Sequence, residues 1–378
     1  PPFGPTGTDF ADPFWELEIE GFRPPVGRTR RPAARRARGS ESATAEEVGR
    51  RLFEAVFHDE VRDCLLSSLR EARHKKAGLR IRLRLGSPAL NDYPWELMLN
   101  PGDDPFALSR ETPVVRYLEM RGEIRALEVE PPLEILAVIP SPTDLEDGEL
   151  QVEKEWSDLQ ASVRKLEDEG RVRLRRLEVP TVAELQGWVR RETCHILHFI
   201  GHGRFDQQSG EGELLFCDEQ GHSQFLSSSQ LRVVLRDHQP LRLAVLNACE
   251  SARTSLSDPF AGVAQGLIRC RVPAVIAMQF AISDKAAIEF SREFYRAVAD
   301  GDPVDAALAE ARKAMSSAGH GLEWGTPVLY MRALDGRIFE LKKPEVSPPP
   351  PEPPPPKRPP TPTPPEQQPP PPPKKPWG

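Results

Sequence analysis

Between residues 133 and 315, short and almost wholly apolar runs alternate with segments of helical period, and nothing else in the sequence restricts the fold as much. Strands are suggested at 133–140, 172–177, 195–200, 241–247 and 274–280, of which 172–177 carries three arginines. The amphipathic segments fall at 151–167, 183–191, 228–236, 259–268, 285–299 and 303–315. A strand that is apolar on both faces has to be covered on both, so the pattern predicts an α/β fold, a mostly parallel sheet flanked by helices. Ligands of such sheets meet the carboxyl ends of the strands, so chemistry is to be sought where these runs stop. Asp302 and Pro303 predict a helix start, with Asp302 as the cap and Pro303 in the first helical position. Two runs around 218–221 predict a hairpin within 213–225.

The alternation begins after Pro131-Pro132, and the preceding segment, 44–130, reads as a helix and strand subdomain. Thr44 and Glu47 make a capping box. Leu52, Phe53, Val56, Phe57, Val61, Leu65 and Leu69 then recur at helical spacing, which predicts one helix to about His74. Residues 79–85 alternate leucine or isoleucine with arginine, the mark of a half-buried strand, and 94–98 and 114–120 read as further short strands. Residues 1–43 read as poorly ordered apart from a short strand at 14–19. Their six arginines at 28–38 form either a patch for nucleic acid or a solvated loop. The loop is favoured, since no aromatic residues are interleaved with them.

Composition narrows the class. Of 42 prolines, 20 lie between 344 and 376, so a globular body at 131–342 is followed by a disordered, proline-rich tail at 343–378. That tail reads as an extended polyproline II spacer, leading to a further domain or membrane segment beyond it. The first residue is Pro1, which reads as a fragment or a processed chain. A net charge of −7 argues against nucleic acid as a partner. Five scattered cysteines with no C-x-x-C pair suit a reducing, cytoplasmic setting.

Two runs end in residues with chemistry. The run at 195–200 enters Gly201-His202-Gly203, and the run at 241–246, set two strands further on in space, enters Asn247-Ala248-Cys249-Glu250-Ser251. Singly, each reads as a turn histidine and a small buried cysteine. Together they place His202 47 positions before Cys249, close to the His–Cys interval of about 50 in caspase-type peptidases. A dyad needs an imidazole that supports the thiolate and protonates the departing amine. It also needs backbone N–H groups for the oxyanion, and Gly203 and Cys249 are placed to offer theirs.

These motifs resemble the signature pair of bacterial CHAT domains, which belong to the caspase-like, clan CD cysteine peptidases. Pro94-Trp95-Glu96-Leu97, Ser141-Pro142-Thr143-Asp144-Leu145, residues 278–284 and residues 324–330 are similar as well, and the resemblance runs from Thr44 to Leu341. It implies a caspase-like core with Cys249 as nucleophile, His202 as general acid and base, and the Gly203 and Cys249 N–H groups as oxyanion hole. It implies no cofactor and no metal, and a substrate pocket lined by Asn247, Thr143 and Asp144. Asn247 stands where metacaspases have Asp, while Asp144 favours a basic side chain, so the cleavage preference stays open.

The resemblance further implies an endopeptidase that cuts a specific protein partner in bacterial defence or regulated cell death. Such an enzyme is expected to need an activating protein or domain, with the loops 250–258 and 207–212 ordering on activation. The rival reading is a catalytically silent caspase-like scaffold. A metal site at His195, His198 and His202 is disfavoured, because on a strand His195 and His198 face opposite ways.

Overall fold

The computed structural model describes residues 37–86, 88–120, 122, 124–144, 152–248, 260–280, 282–342 and 370. The chain divides into Pro1–Lys343 and Pro344–Gly378, and every element below belongs to the first unit. Its strands are β1 (Ile81–Leu83), β2 (Val114–Tyr117), β3 (Leu127–Val129), β4 (Leu133–Val138), β5 (Val172–Arg176), β6 (Ile196–Gly201) and β7 (Gly203–Asp206). They continue as β8 (Glu211–Cys217), β9 (Ser223–Ser227), β10 (Leu243–Ala248), β11 (Ala274–Met278), β12 (Pro327–Met331) and β13 (Phe339–Leu341). The helices are α1 (Ala37–Val56), α2 (Asp59–His74), α3 (Val152–Asp168), α4 (Val182–Arg191), α5 (Ser228–Leu235), α6 (Ala261–Arg269), α7 (Asp284–Ala299) and α8 (Val304–Ser317).

Eight strands form the central sheet in the order β1-β2-β12-β11-β10-β6-β4-β5. All neighbours are parallel except β11 and β12. Every residue of β6 and of β11 is buried, as the apolar runs require. Alternation along β6 sends His198 to Tyr295 of α7 and Phe199 to Phe216 and Phe260 on the opposite face. Helices α3, α7 and α8 pack together, as do α4, α5 and α6. Start signals written in the sequence hold these helices: Thr181 caps α4, Ser283 caps α7, and Ser227 with Gln230 closes a capping box on α5. No helix among the described residues is long and apolar enough to cross a membrane.

A second sheet, β7-β8-β9, is antiparallel and grows directly out of β6. Its β8–β9 turn is the predicted hairpin, with Gly221 at φ 83. Two glycines let this sheet meet α6. A Cβ on Gly212 of β8 would lie 2.3 Å from the Val263 nitrogen, and one on Gly262 would lie 2.8 Å from the Gly212 nitrogen. Only a side chain of one hydrogen fits at either position.

Three local expectations need correction. The single helix from Thr44 to His74 is two helices, and the first already begins at Ala37. His58 is extended (φ −114, ψ 161) and caps α2, while Phe53 stacks on Phe106 and Phe57 meets the same ring at a tilt. Residues 94–98 are no strand but a 3-10 turn at Trp95–Leu97, with all three side chains buried. Trp95 Nε1 donates to Leu90 O, and Glu96 pairs with Arg116 at 3.0 Å. Pro303 is the cap of α8, not its first residue, and Asp302 accepts from Arg110 instead. The sequence reading gave no sign of β3 or β7. The expectations for 1–36 lie outside the described residues, and so do those for the tail apart from Pro370.

Candidate active site

Strands β10, β6 and β4 lie side by side, so their carboxyl ends form one row. The register sets Asn247 opposite Ile200 and Ala248 opposite Gly201. The residues that lead into His202 and Cys249 are therefore direct neighbours, not two strands apart, because β4 takes the other side of β6 and leaves β10 against it. Cys249 itself and the loop 250–258 lie outside the described residues.

His202 is half-buried, and its Nε2 is buried with no hydrogen-bond partner among the described residues. Burial lowers its pKa, so the imidazole is neutral at neutral pH and able to take a proton. Its carbonyl accepts from Leu215 N at 3.0 Å, which fixes the chain where β7 begins. That bond makes Gly203 and Leu214 the non-hydrogen-bonded pair of the ladder. The Gly203 N–H therefore points away from β8.

Thr143 and Asp144, in the loop after β4, are laced to the β8–β9 turn. Thr143 N donates to Gly221 O at 2.9 Å, and Thr143 Oγ1 donates to the same oxygen at 3.2 Å. Asp144 Oδ1 accepts from Ser223 N at 2.8 Å and from Ser223 Oγ at 2.7 Å, and these bonds hold its carboxyl below the usual range. Asp206 closes the turn at 207–210 in the same way, accepting from Gln208 N and Ser209 N.

Asn247 points to the α3–α7 side of the sheet, buried to 6% exposure, and its Oδ1 has no hydrogen-bond partner among the described residues. It lines a cavity of about 20 Å³ with Glu155, Asp158, His198, Asp284 and Ser291. His198 is 1% exposed and its Nδ1 meets the Tyr295 hydroxyl at 2.5 Å. His195 has separate surroundings: Glu134 N donates to its Nδ1 at 2.9 Å, and its ring meets Phe339 edge-on. Among the described residues no group of His, Cys, Asp or Glu is arranged to hold a metal ion.

The sequence reading did not single out Ser223 or Tyr295. Ser223 follows the hairpin turn, so its place beside the loop after β4 was legible once β8 and β9 were paired. Tyr295 carried no signal, since it falls on the apolar stripe of α7.

The remaining thiols are poor nucleophiles or lie elsewhere. Burial pushes Cys194 up to about 12 and raises Cys217 and Cys270 as well, which keeps all three protonated. Cys64 is exposed on α2.

Comparison with known proteins gives the family. No curated protein matches the chain in sequence. Among solved structures, the Arg-specific cysteine proteinase gingipain R is similar at 10% identity and TM-score 0.41, over 72% of this chain and 68% of that one. The Saccharomyces cerevisiae separase in its complex with securin is similar at 15% identity and TM-score 0.35, over 65% of this chain and 15% of that one. A second separase–securin structure gives 14% identity and TM-score 0.37, over 71% and 17%. The chain thus spans about a sixth of the separase chains. Residues 46–332 match the CHAT domain, most of the unit that carries the sheet and both strand ends, and the chain belongs to the CHAT domain family.

Proposed function

We propose that the protein is a cysteine endopeptidase that cuts a specific protein partner with a Cys249–His202 dyad. The observation that carries this reading is the register of β6 and β10, which sets Ala248 beside Gly201 and so aligns the strand ends entering the two residues. A neutral, half-buried His202 with an unpartnered Nε2 supports it further.

In this mechanism His202 takes the Cys249 proton, and the thiolate attacks the scissile carbonyl carbon. The N–H groups of Gly203 and Cys249 hold the oxyanion that forms. Collapse breaks the C–N bond, and the departing amine takes its proton from His202. Water then adds to the thioester as His202 accepts its proton, and expulsion of the thiolate releases the acid and restores the dyad. Thr143, Asp144 and Asn247 border the substrate's path. The reading requires no metal or cofactor.

The reading extends to an activating protein or domain, and to a place in bacterial defence or regulated cell death in the cytoplasm. The unpaired state of Cys64, Cys194, Cys217 and Cys270 fits a reducing compartment. Two measurements test the core of the reading. Cleavage products mapped across a proteome should appear with the wild-type chain and vanish with Cys249→Ala. Iodoacetamide should label Cys249 faster than an ordinary thiol, and His202→Ala should remove that excess. Identical cleavage profiles together with ordinary thiol reactivity would leave a silent scaffold.

A further inference from the structure

Beneath the candidate dyad lies a polar arrangement that the mechanism above does not use. Asn247 is the register partner of Ile200, and Ile200 and His198 are alternate residues of β6. Both polar side chains therefore project from the same face, on adjacent strands and one diagonal step apart, about 8 Å between Cα atoms. Each is more than nine-tenths buried, and each keeps an atom without a partner among the described residues: Nε2 on His198 and Oδ1 on Asn247. The cavity they share measures about 20 Å³. A polar cavity of that size accepts a single water, which needs two to four polar partners.

We propose that one water molecule occupies this cavity, accepting from His198 Nε2–H and donating to Asn247 Oδ1, so that Tyr295 and His198 act as positioning residues for the Asn247 carboxamide. The direction of the relay follows from its far end. The Tyr295 hydroxyl is buried and remains protonated, and by donating to His198 Nδ1 it leaves the imidazole proton on Nε2. Burial also holds His198 neutral, so Nε2–H is a single donor and not one side of a cation. A water that accepts this proton has its own hydrogens for Asn247 Oδ1, and the Ser291 hydroxyl lines the same cavity as a further partner.

The arrangement sets a substrate class. This step rests on the proposed function, in which Asn247 borders the pocket for the residue on the acyl side of the cut. An amide group is planar, so an Asn247 whose oxygen is turned inward presents its NH2 outward. Two N–H donors favour a side chain that brings an acceptor oxygen: Asp, Glu, Asn or Gln. Of the nearby acidic groups, Asp158 and Asp284 are bridged by Lys154, and Ser223 occupies Asp144 Oδ1.

Nitrogen NMR of the His198 ring in the full chain tests the relay whether or not the protein cleaves anything. A neutral ring protonated at Nε2 is expected; a proton on Nδ1, or an imidazolium, overturns the inference and leaves the peptidase reading intact. The pocket is tested with a fluorogenic peptide library randomised at the residue before the cut. Acceptor side chains should lead, and a preference for Lys or Arg overturns the assignment of the outward NH2. On the best peptide, His198→Leu should raise KM by up to about tenfold with kcat little changed, the loss expected for one hydrogen bond. His198→Gln, which keeps a donor near Nε2, should restore most of it. In an Asn247→Ala background His198→Leu should add nothing further; additive losses in the two variants overturn the relay. Should His198→Leu fail to fold, His198→Gln and the NMR measurement still decide.

Discussion

Acidification should unfold this protein through a histidine that takes no part in the chemistry. In an unfolded chain His198 titrates near 6.5, whereas burial against Tyr295 lowers it to about 3 in the fold. Between these values the unfolded chain holds a proton that the native one refuses. Stability is therefore undiminished above about pH 6.5 and falls as the pH drops toward 3. At about pH 5 the loss is about 2 kcal/mol, and it hardly depends on how far below 4 the native value lies. His195, lowered to about 4 with its Nδ1 occupied as an acceptor, adds about 2 kcal/mol of the same sign. Together they remove about 4 kcal/mol from a domain whose total is about 5–15 kcal/mol. Carboxylates with depressed values, such as Asp206 and Glu211, begin to lose their contribution only below their ordinary range, under the pH of about 5 at which the histidine loss is read. Urea unfolding at about pH 8 and about pH 5 reads the effect, with His198→Gln as comparison. The wild type should lose about 2 kcal/mol more than the variant between the two conditions. An equal loss in both would refute the buried, neutral state of His198.

Three further outcomes follow from the geometry. Arg116→Met should destabilise the protein by about 3–5 kcal/mol in denaturant melts, because Glu96 would be left charged and buried without its partner. Gly262→Ala should cost about 1–3 kcal/mol, since its Cβ would enter the Gly212 backbone; an unchanged melting temperature would contradict that contact. The acid limb of kcat/KM should lie below the ordinary histidine value of about 6.5, because burial lowers His202. A limb at or above that value in a pH–rate profile would remove His202 from the role of base.

The core of this fold was legible because its determinants are local. Residues 196–201, 243–248 and 274–278 are apolar on both faces, and a strand of that kind has no place but the middle of a covered sheet. What was not legible depends on distant partners. Phe57 continues the apolar stripe of α1, so periodicity passes over the break at His58, where Phe57 meets the distant Phe106 ring. Trp95–Leu97 has strand composition but is folded into a 3-10 turn by Arg116, from another strand. The insertion of β12 between β2 and β11 joins residues far apart in sequence, beyond the reach of any local pattern. At the site, the motifs picked out His202 and Asn247, but the relay through His198 needs two facts the sequence holds only separately: the alternation of β6 and its register against β10.

The contact between Gly212 and Gly262 gives the site a mechanical character. Gly212 sits in the sheet that begins one residue after His202, and Gly262 sits in the helix that takes up the chain after Cys249. With no side chain between them, the two backbones form a hinge pin with no play. The approach holds α6 against β8, and β8 in turn pairs with β7, the strand that follows His202.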